Sequence, residues 1–264
     1  MKYYEQGSRK ENKKILIVLK KYKGGVGRVV ESIKPLLEKK GYEVKVISRE
    51  DDLNCYSLKD SFKILRKEVK ERNYDILYSQ DWSIALPLLF LKNHYCCYHG
   101  FEPKRVGRFI QKIIGLYFGK RLIVVGDKLK QDFPKSNIVY NGVNLKEFYD
   151  MKKERRYLGW IQRDWEEISL NKIKELAKYY NLKLSIAKYI PKDKMNEWYN
   201  SLKVFVSYPK DFTGFNICWL EAKASGVPRI LGNNNGIGID RILNEPIKNF
   251  TWENSVNKLI KILK

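Results

Sequence analysis

Histidine is nearly absent from this chain: two in 264 residues, His94 and His99. With so few imidazoles, a zinc site lacks its usual ligands. The four cysteines, Cys55, Cys96, Cys97 and Cys218, show no paired metal spacing, and Cys96 and Cys97 sit side by side inside an apolar segment. No disulfide framework is expected, and free buried thiols fit a reducing cytoplasm. The leading "MKYYEQGSRKENKK" has no apolar stretch of the kind a signal peptide needs. The longest apolar run, "IALPLLFL" (84–91), is interrupted by Pro87 and is too short to span a bilayer. No repeat of 20–50 residues and no low-complexity tract is present. Acidic residues are also scarce, 30 against 52 Lys and Arg, for a net charge of +22 shared by both halves of the chain. Such a balance draws polyanions: nucleic acid, anionic lipid or phosphorylated small molecules. Charge alone does not choose among these, nor between them and simply solvated helix faces.

What is present is a folded-protein composition, 44% hydrophobic and 13% aromatic. Short β-branched runs alternate with longer helical patterns, which predicts a parallel α/β architecture. Strands are expected at "KILIVL" (14–19), "YEVKVIS" (42–48), "DILYSQ" (75–80), "HYCCYHG", "RLIVVG" and "NIVYNGV". Helices fall between them, including one from about Asp81 and one across 104–119. The charged cluster 144–156 lacks a strand pattern and reads as a linker. A second alternation starts at "RRYLGWI" and runs through a helix at about 166–180, "LKLSIA", "KVFVSY" and "PRIL" to a last helix, "ENSVNKLIKIL". Two halves of this kind predict two Rossmann-like domains, 1–148 and 149–264, facing each other across a cleft. In such sheets, ligands sit at the carboxyl ends of the strands.

Four stretches carry candidate chemistry. "KYKGGVGRVV" (21–30) joins the first strand to the first helix, where glycines let a ligand approach the backbone and a helix N-terminus offers N–H groups to an anion. It matches neither the dinucleotide fingerprint nor a P-loop, so a structural tight turn remains an equal reading. "YCCYHGFEP" places His99 just past a strand, and "NIVYNGVNLKEF" sets an N-G turn before the linker. In "VSYPKDFTGFNICWLEAKASGVP" (206–228), an apolar strand breaks at Gly214 and a helix opens near Phe215. Its first N–H groups would face an anion with the positive end of the helix dipole. The one acid of that helix, Glu221, could accept from two vicinal hydroxyls or simply pair with a surface lysine. "KRVGRFIQKIIGLYFGKR" is basic and amphipathic, and packing on a sheet explains it better than membrane binding.

The order of "GGVGR", "YHG", "VVGDKLKQDF", "NIVYNGVNLKEF" and "VFVSYPKDFTGFNICWLEAKASGVPRIL" resembles that of the GT-B glycosyltransferases related to glycogen synthase and the bacterial mannosyltransferases. The likeness spans about residues 14 to 260. It implies two Rossmann-like domains binding a nucleotide sugar, an N-terminal acceptor-side domain, and sugar transfer with retention and without a metal or other cofactor. Carried over by position, Glu221 matches a ribose-binding glutamate. Gly214, Phe215 and Asn216 match a turn that meets the donor phosphates and sugar. Gly24 and Gly25 match a loop closing on the diphosphate, and His99 a histidine contacting the donor sugar near the reacting carbon. Ile190 falls where the base is held by backbone hydrogen bonds. The chain departs from the pattern at Thr213, where relatives carry a second glutamate, and near Trp160 and Trp165, where they carry Arg and Lys. Arg163, between these tryptophans, or Arg28 could supply the cation.

The resulting expectation is a cytoplasmic glycosyltransferase of the hexosyltransferase class. It would use a nucleotide-diphosphate sugar and an unknown acceptor: glycan, lipid, protein or nucleic acid. Peripheral membrane contact stays open. The alternative is a catalytically weak protein of the same fold that binds nucleic acid or anionic membrane through its basic surface.

Overall fold

The computed structural model describes residues 12–162, 166–188, 190–210, 215–233 and 239–263. β1 (Lys14–Leu19) is apolar after Lys14, and those five residues are buried, as expected of a strand covered on both faces. It leads into α1 (Gly25–Lys39), which ends before Gly41, where φ of 87° turns the chain into β2 (Glu43–Ser48). β2 alternates exposed and buried positions in its first half. The next helix runs from α2 (Leu58–Asp60) through a wider turn at Ser61–Leu65 to α3 (Arg66–Lys70). Ser57 caps it by accepting from the N–H of Asp60 at 3.0 Å.

β3 (Ile76–Gln80) is buried throughout. The helix expected from about Asp81 is α4 (Trp82–Ala85), only four residues long and followed by a tight turn at Leu86–Leu88. Pro87 cannot donate to a continuing helix, which accounts for its early end. β4 (His94–Tyr98), α5 (Arg105–Phe118), β5 (Leu122–Val124), α6 (Asp127–Asp132) and β6 (Asn137–Ile138) complete a six-stranded sheet of order β2-β1-β3-β4-β5-β6. β1 pairs in parallel with both β2 and β3, and β5 with both β4 and β6.

The second sheet begins at β7 (Tyr157–Ile161) and continues with α7 (Leu170–Tyr179), β8 (Lys183–Ala187), α8 (Met195–Asn200), β9 (Leu202–Val206), α9 (Ile217–Ala224) and β10 (Arg229–Leu231). Its four strands are ordered β8-β7-β9-β10, and all three pairs are parallel. α10 (Ile239–Asn244) and α11 (Trp252–Ile262) close the chain. α7 starts at Leu170 rather than near residue 166, because Ser169 caps it through the N–H of Lys172. The fold is therefore α/β, with two Rossmann-like sheets.

The chain groups into two compact units. One extends to Gln80 and takes in Ile84–Tyr95; the other holds Asp81–Ser83 and everything from Cys96. In the first, Leu65 and Val69 of the 58–70 helix pack on Leu16, Val18 and Leu77 of the sheet. In the second, Ile173 and Ala177 of α7 pack on Leu158, Trp160, Val204 and Val206. Truncating one such fully buried aliphatic side chain to alanine costs about 2–5 kcal/mol.

The charged segment expected as a linker has no strand or helix of its own, yet it is strapped to α8. The N–H of Tyr149 donates to Asn196 Oδ1 at 3.2 Å, and that of Met151 to Asn200 Oδ1 at 2.7 Å. Arg155, with 12% of its side chain exposed, donates to Asp150 at 2.8 Å and to the carbonyls of Ser225, Asn200 and Tyr199. Those carbonyls belong to the ends of α9 and α8, where a cation meets the negative end of each helix dipole.

Candidate functional site

Both sheets follow one rule of succession. The second strand lies on one side of the first and the third on the other, so connections leave in opposite directions and open a crevice at the carboxyl ends. In the four-stranded sheet, this switch point falls between β7 and β9. The loops leaving those strands are tied together there by Glu166, whose carboxylate accepts from Ser207 Oγ at 2.7 Å and from the N–H of Tyr208 at 2.6 Å. Ser207 in turn accepts from Asn216 Nδ2 at 2.9 Å. Asn216 Oδ1 accepts from the N–H of Cys218 at 3.3 Å and so caps α9. The helix starts at Ile217, two residues later than expected, because Asn216 is spent as its cap. Phe215 turns its ring into an aromatic group with Tyr140 and Phe250, at centroid distances of 5.8 and 6.4 Å. Only its backbone is left to meet a ligand.

Glu221 lies on the second turn of α9 and is 1% exposed. Its Oε2 accepts from the hydroxyl of Tyr199 on α8 at 3.0 Å, and Tyr199 is itself fully buried. A ligand reaches a carboxylate so covered only where a neighbouring side chain or loop gives way. Ile190, in the loop that follows β8, is half-buried at the same carboxyl edge.

His99 follows β4 and is half-buried, and desolvation pushes its imidazole down to about 4. It is therefore neutral at pH 7 and able to offer or accept a hydrogen bond without carrying charge. The loop around it is braced by Gln111 of α5, which donates to the carbonyl of Gly100 at 2.8 Å and accepts from the N–H of Glu102 at 2.9 Å. Glu102 also accepts from the indole of Trp82 at 3.3 Å. His94, by contrast, is buried between the carbonyl of Leu88 and Ser79 Oγ, a structural position.

In the first unit, the glycine loop leaves β1 at the other switch point, between β1 and β3. The N–H of Tyr22 donates to Asp51 at 2.6 Å and its hydroxyl to Asp52 at 2.7 Å. Burial and the Asp52 carboxylate push that phenol up to about 12. Gly24 has φ of 113°, and a Cβ at Gly27 would stand 1.6 Å from the carbonyl oxygen of Tyr22, so both positions require glycine. Gly25 is different. A Cβ there meets nothing within 4 Å, so neither packing nor backbone angle demands glycine. Arg28 is half-buried one turn into α1, and its N–H donates to the carbonyl of Gly24 at 3.1 Å.

The N-G pair before the linker is explained by a close approach. A Cβ at Gly142 would stand 2.3 Å from the backbone nitrogen of Trp252, because residues 140–143 dock on the start of α11. The N–H of Val143 donates to the carbonyl of Phe250 at 2.9 Å, and Ser255 Oγ to that of Tyr140 at 2.7 Å. Tyr140 donates to Asp127 at 2.6 Å, and Arg241 pairs with Asp127 at 3.0 Å while lying over the Tyr140 ring.

Of the residues singled out by sequence, Phe215, Asn216 and Glu221 share one loop-helix segment at the second switch point, and Ile190 shares its sheet edge. Gly24, Gly25 and Arg28 gather where the first unit's glycine loop opens α1, and His99 stands after β4. Arg163, Thr213 and Gly214 lie outside the described residues. Sequence reasoning missed Tyr199, Glu166 and Gln111. Each is ordinary in type and becomes informative only through a partner 9 to 42 residues away. Among the described residues, no three His, Cys, Asp or Glu side chains gather as metal ligands.

No sequence family matches the chain, and no curated protein matches it by sequence. Solved structures do resemble it. A glycosyltransferase from Rickettsia africae aligns over 95% of this chain and 88% of its own, with a TM-score of 0.62 and 19% identity. The sucrose-phosphate synthase of Thermosynechococcus elongatus aligns over 96% and 95%, with a TM-score of 0.60 and 13% identity. The HepE protein of Anabaena, solved in complex with UDP, aligns over 94% of each chain at a TM-score of 0.54 and 12% identity.

Proposed function

We propose, from the GT-B fold that the chain shares with these structures along nearly its whole length, that it transfers a hexosyl group from a nucleotide-diphosphate sugar to an acceptor, with retention and without a metal or other cofactor. One observation carries the reading. The helix after the switch-point strand β9 holds a single carboxylate, Glu221, only 1% exposed and hydrogen-bonded by Tyr199. A carboxylate at this edge of the sheet can accept from two vicinal hydroxyls, and a ribose supplies such a pair. The backbone N–H groups around Phe215 and Asn216 lie at the positive end of α9, where the donor's diphosphate is favoured. In this reading, Thr213 and Gly214 border the sugar and Ile190 holds the base. Gly24, Gly25 and Arg28 close on the diphosphate, and Arg163 adds charge.

Departure of the nucleoside diphosphate builds negative charge on its leaving oxygen. Fixed N–H dipoles and guanidinium groups stabilise that charge without reorganising at the moment of reaction. His99, neutral at pH 7, serves the donor sugar as a hydrogen-bonding group rather than as a cation. Residues 1–148 take the acceptor in this scheme, and 149–264 the nucleotide sugar. The Anabaena neighbour was solved in complex with UDP, and another, the catalytic domain of starch synthase IV of Arabidopsis thaliana, bound to ADP and acarbose.

A thermal-shift panel of UDP, GDP, ADP and their sugars tests the reading. A ligand of the folded state raises the midpoint with the logarithm of its concentration. One nucleotide is expected to stand out, to lose its effect in Glu221→Gln, and to keep it in EDTA. No shift with any of them would sink the proposal and favour a role in binding polyanions.

A further inference from the structure

α5 packs on its sheet with Gln111, Ile114, Gly115 and Phe118, the buried face expected of a helix in this fold. Apart from half-buried Ile110, that leaves its other large apolar residues outside. Val106, Phe109, Ile113 and Leu116 are 74, 66, 51 and 62% exposed, and Tyr117 joins them at 42%. At 3.6 residues per turn, these five fall within an arc of about 100°, a continuous apolar stripe on the side away from the core. Arg105, Arg108 and Lys112, also exposed, recur three and four residues apart and form a basic row along one edge of that stripe. α5 contains no acidic residue. Among the described residues, no carboxylate pairs with Arg105 or Lys112. Lys104, Lys120 and Arg121 extend the positive charge past both ends of the helix.

Packing on the sheet accounts for one face of this helix and leaves the other without an explanation. A stripe this long would ordinarily be covered in a water-soluble protein. A stack of Phe, Ile and Leu gains nothing from a nucleic-acid backbone, which would use the basic row alone. Two like-charged copies of α5, in a chain carrying +22, would repel across a shared interface. An anionic bilayer answers both features at once, since acyl chains accept the apolar stripe while phosphate headgroups neutralise the arginines and lysine. Among the described residues, no helix is long and apolar enough to cross a membrane, so the contact is with the interface alone.

We propose that the outward face of α5 is a lipid-docking surface that inserts Phe109, Ile113 and Leu116 among the headgroups of an anionic membrane. The inference is independent of the transfer reaction proposed above.

The test is co-sedimentation of the full chain with vesicles of phosphatidylcholine alone or mixed with phosphatidylglycerol, for wild type, Phe109→Ser/Ile113→Ser/Leu116→Ser and Arg105→Gln/Lys112→Gln. These side chains are exposed, so the variants should keep the wild-type circular dichroism and melting midpoint. Wild type should bind the anionic vesicles and not the neutral ones. The triple variant should bind at least ~10-fold more weakly, because it removes the apolar side chains whose burial favours the inserted state. The charge variant should bind more weakly and lose its salt dependence in part. Phe109→Trp, read as a difference spectrum against wild type, should shift its emission to the blue on anionic vesicles. Equal binding by the triple variant, or an unshifted Trp in sedimented protein, would overturn insertion in favour of charge attraction alone. Absence of vesicle binding together with a dimer that the triple variant dissolves would overturn it in favour of a second copy of the chain.

Discussion

Replacing Tyr199 by phenylalanine should lower stability while leaving nucleotide affinity almost untouched, and replacing Glu221 by glutamine should do the reverse. The two side chains meet through one hydrogen bond of 3.0 Å, with Tyr199 fully buried and Glu221 1% exposed. Phenylalanine keeps the ring packed against Trp198 and Phe205, at 5.0 and 5.4 Å between centroids, so the hydroxyl alone is removed. A hydrogen bond to a buried charged group contributes about 1.5–3 kcal/mol. In a chain of this size, each kcal/mol moves the melting midpoint by roughly 2–4 °C, which predicts a loss of about 3–12 °C for Tyr199→Phe. Glutamine at 221 still presents an oxygen to Tyr199 and should cost less than half of that. It offers a ribose one acceptor instead of two and no charge, so affinity for the nucleoside diphosphate should fall about 10-fold, equivalent to about 1.4 kcal/mol. Thermal unfolding by circular dichroism and titration calorimetry on the same samples read the two effects apart. If Tyr199→Phe melts within about 1 °C of wild type, the hydroxyl is not what keeps the carboxylate buried. If Glu221→Gln binds every nucleotide as wild type does, α9 is no nucleotide site.

Other outcomes follow from the same geometry. His99→Ala should cut sugar transfer at least ~10-fold with nucleotide affinity unchanged, and equal loss of both would make the residue structural. Because burial lowers the His99 pKa to about 4, its neutral form contributes stability that is complete above the unfolded value near 6.5 and is lost as pH falls toward 4. His99→Gln should flatten that part of the melting-midpoint profile, and an unchanged difference between the two proteins across the window would refute the burial. Gly142→Ala should destabilise by about 1–3 kcal/mol, since its methyl group meets the backbone of Trp252 at 2.3 Å and backbone cannot rotate away. Gly25→Ala should melt like wild type, there being open space around it, yet weaken the diphosphate; unchanged binding would remove Gly25 from the site.

The central strands were readable because a strand flanked on both sides and covered on both faces is largely apolar: β1, β3 and β9 stand out as runs such as "KILIVL". α10 was not, since six residues behind the glycine- and asparagine-rich "GNNNGIG" give no full helical period to detect. The start of α9 was misjudged by two residues because an asparagine after a glycine turn reads equally as turn or as cap. In the candidate site, Glu221 was legible as the lone acid of its helix. Tyr199 was not, because nothing in "NEWYNS" says which tyrosine face meets α9. The outward stripe of α5 was hidden for a different reason. Its period serves two apolar faces at once, and an amphipathic pattern does not tell how many partners the helix has.

The strap of residues 149–155 over α8 gives the protein a built-in reporter of its own opening. By composition, "YDMKKERR" is what trypsin prefers, and a segment without helix or strand is usually cut early. Cleavage needs several consecutive residues drawn out into an extended chain. Here the amides of Tyr149 and Met151 and the guanidinium of Arg155 hold the segment to Asn196, Asn200 and the end of α9. The rate of nicking between residues 152 and 156 therefore tracks how often those contacts let go together, and a slow cut would time the local unfolding of the α8 region rather than the motion of a loose tether.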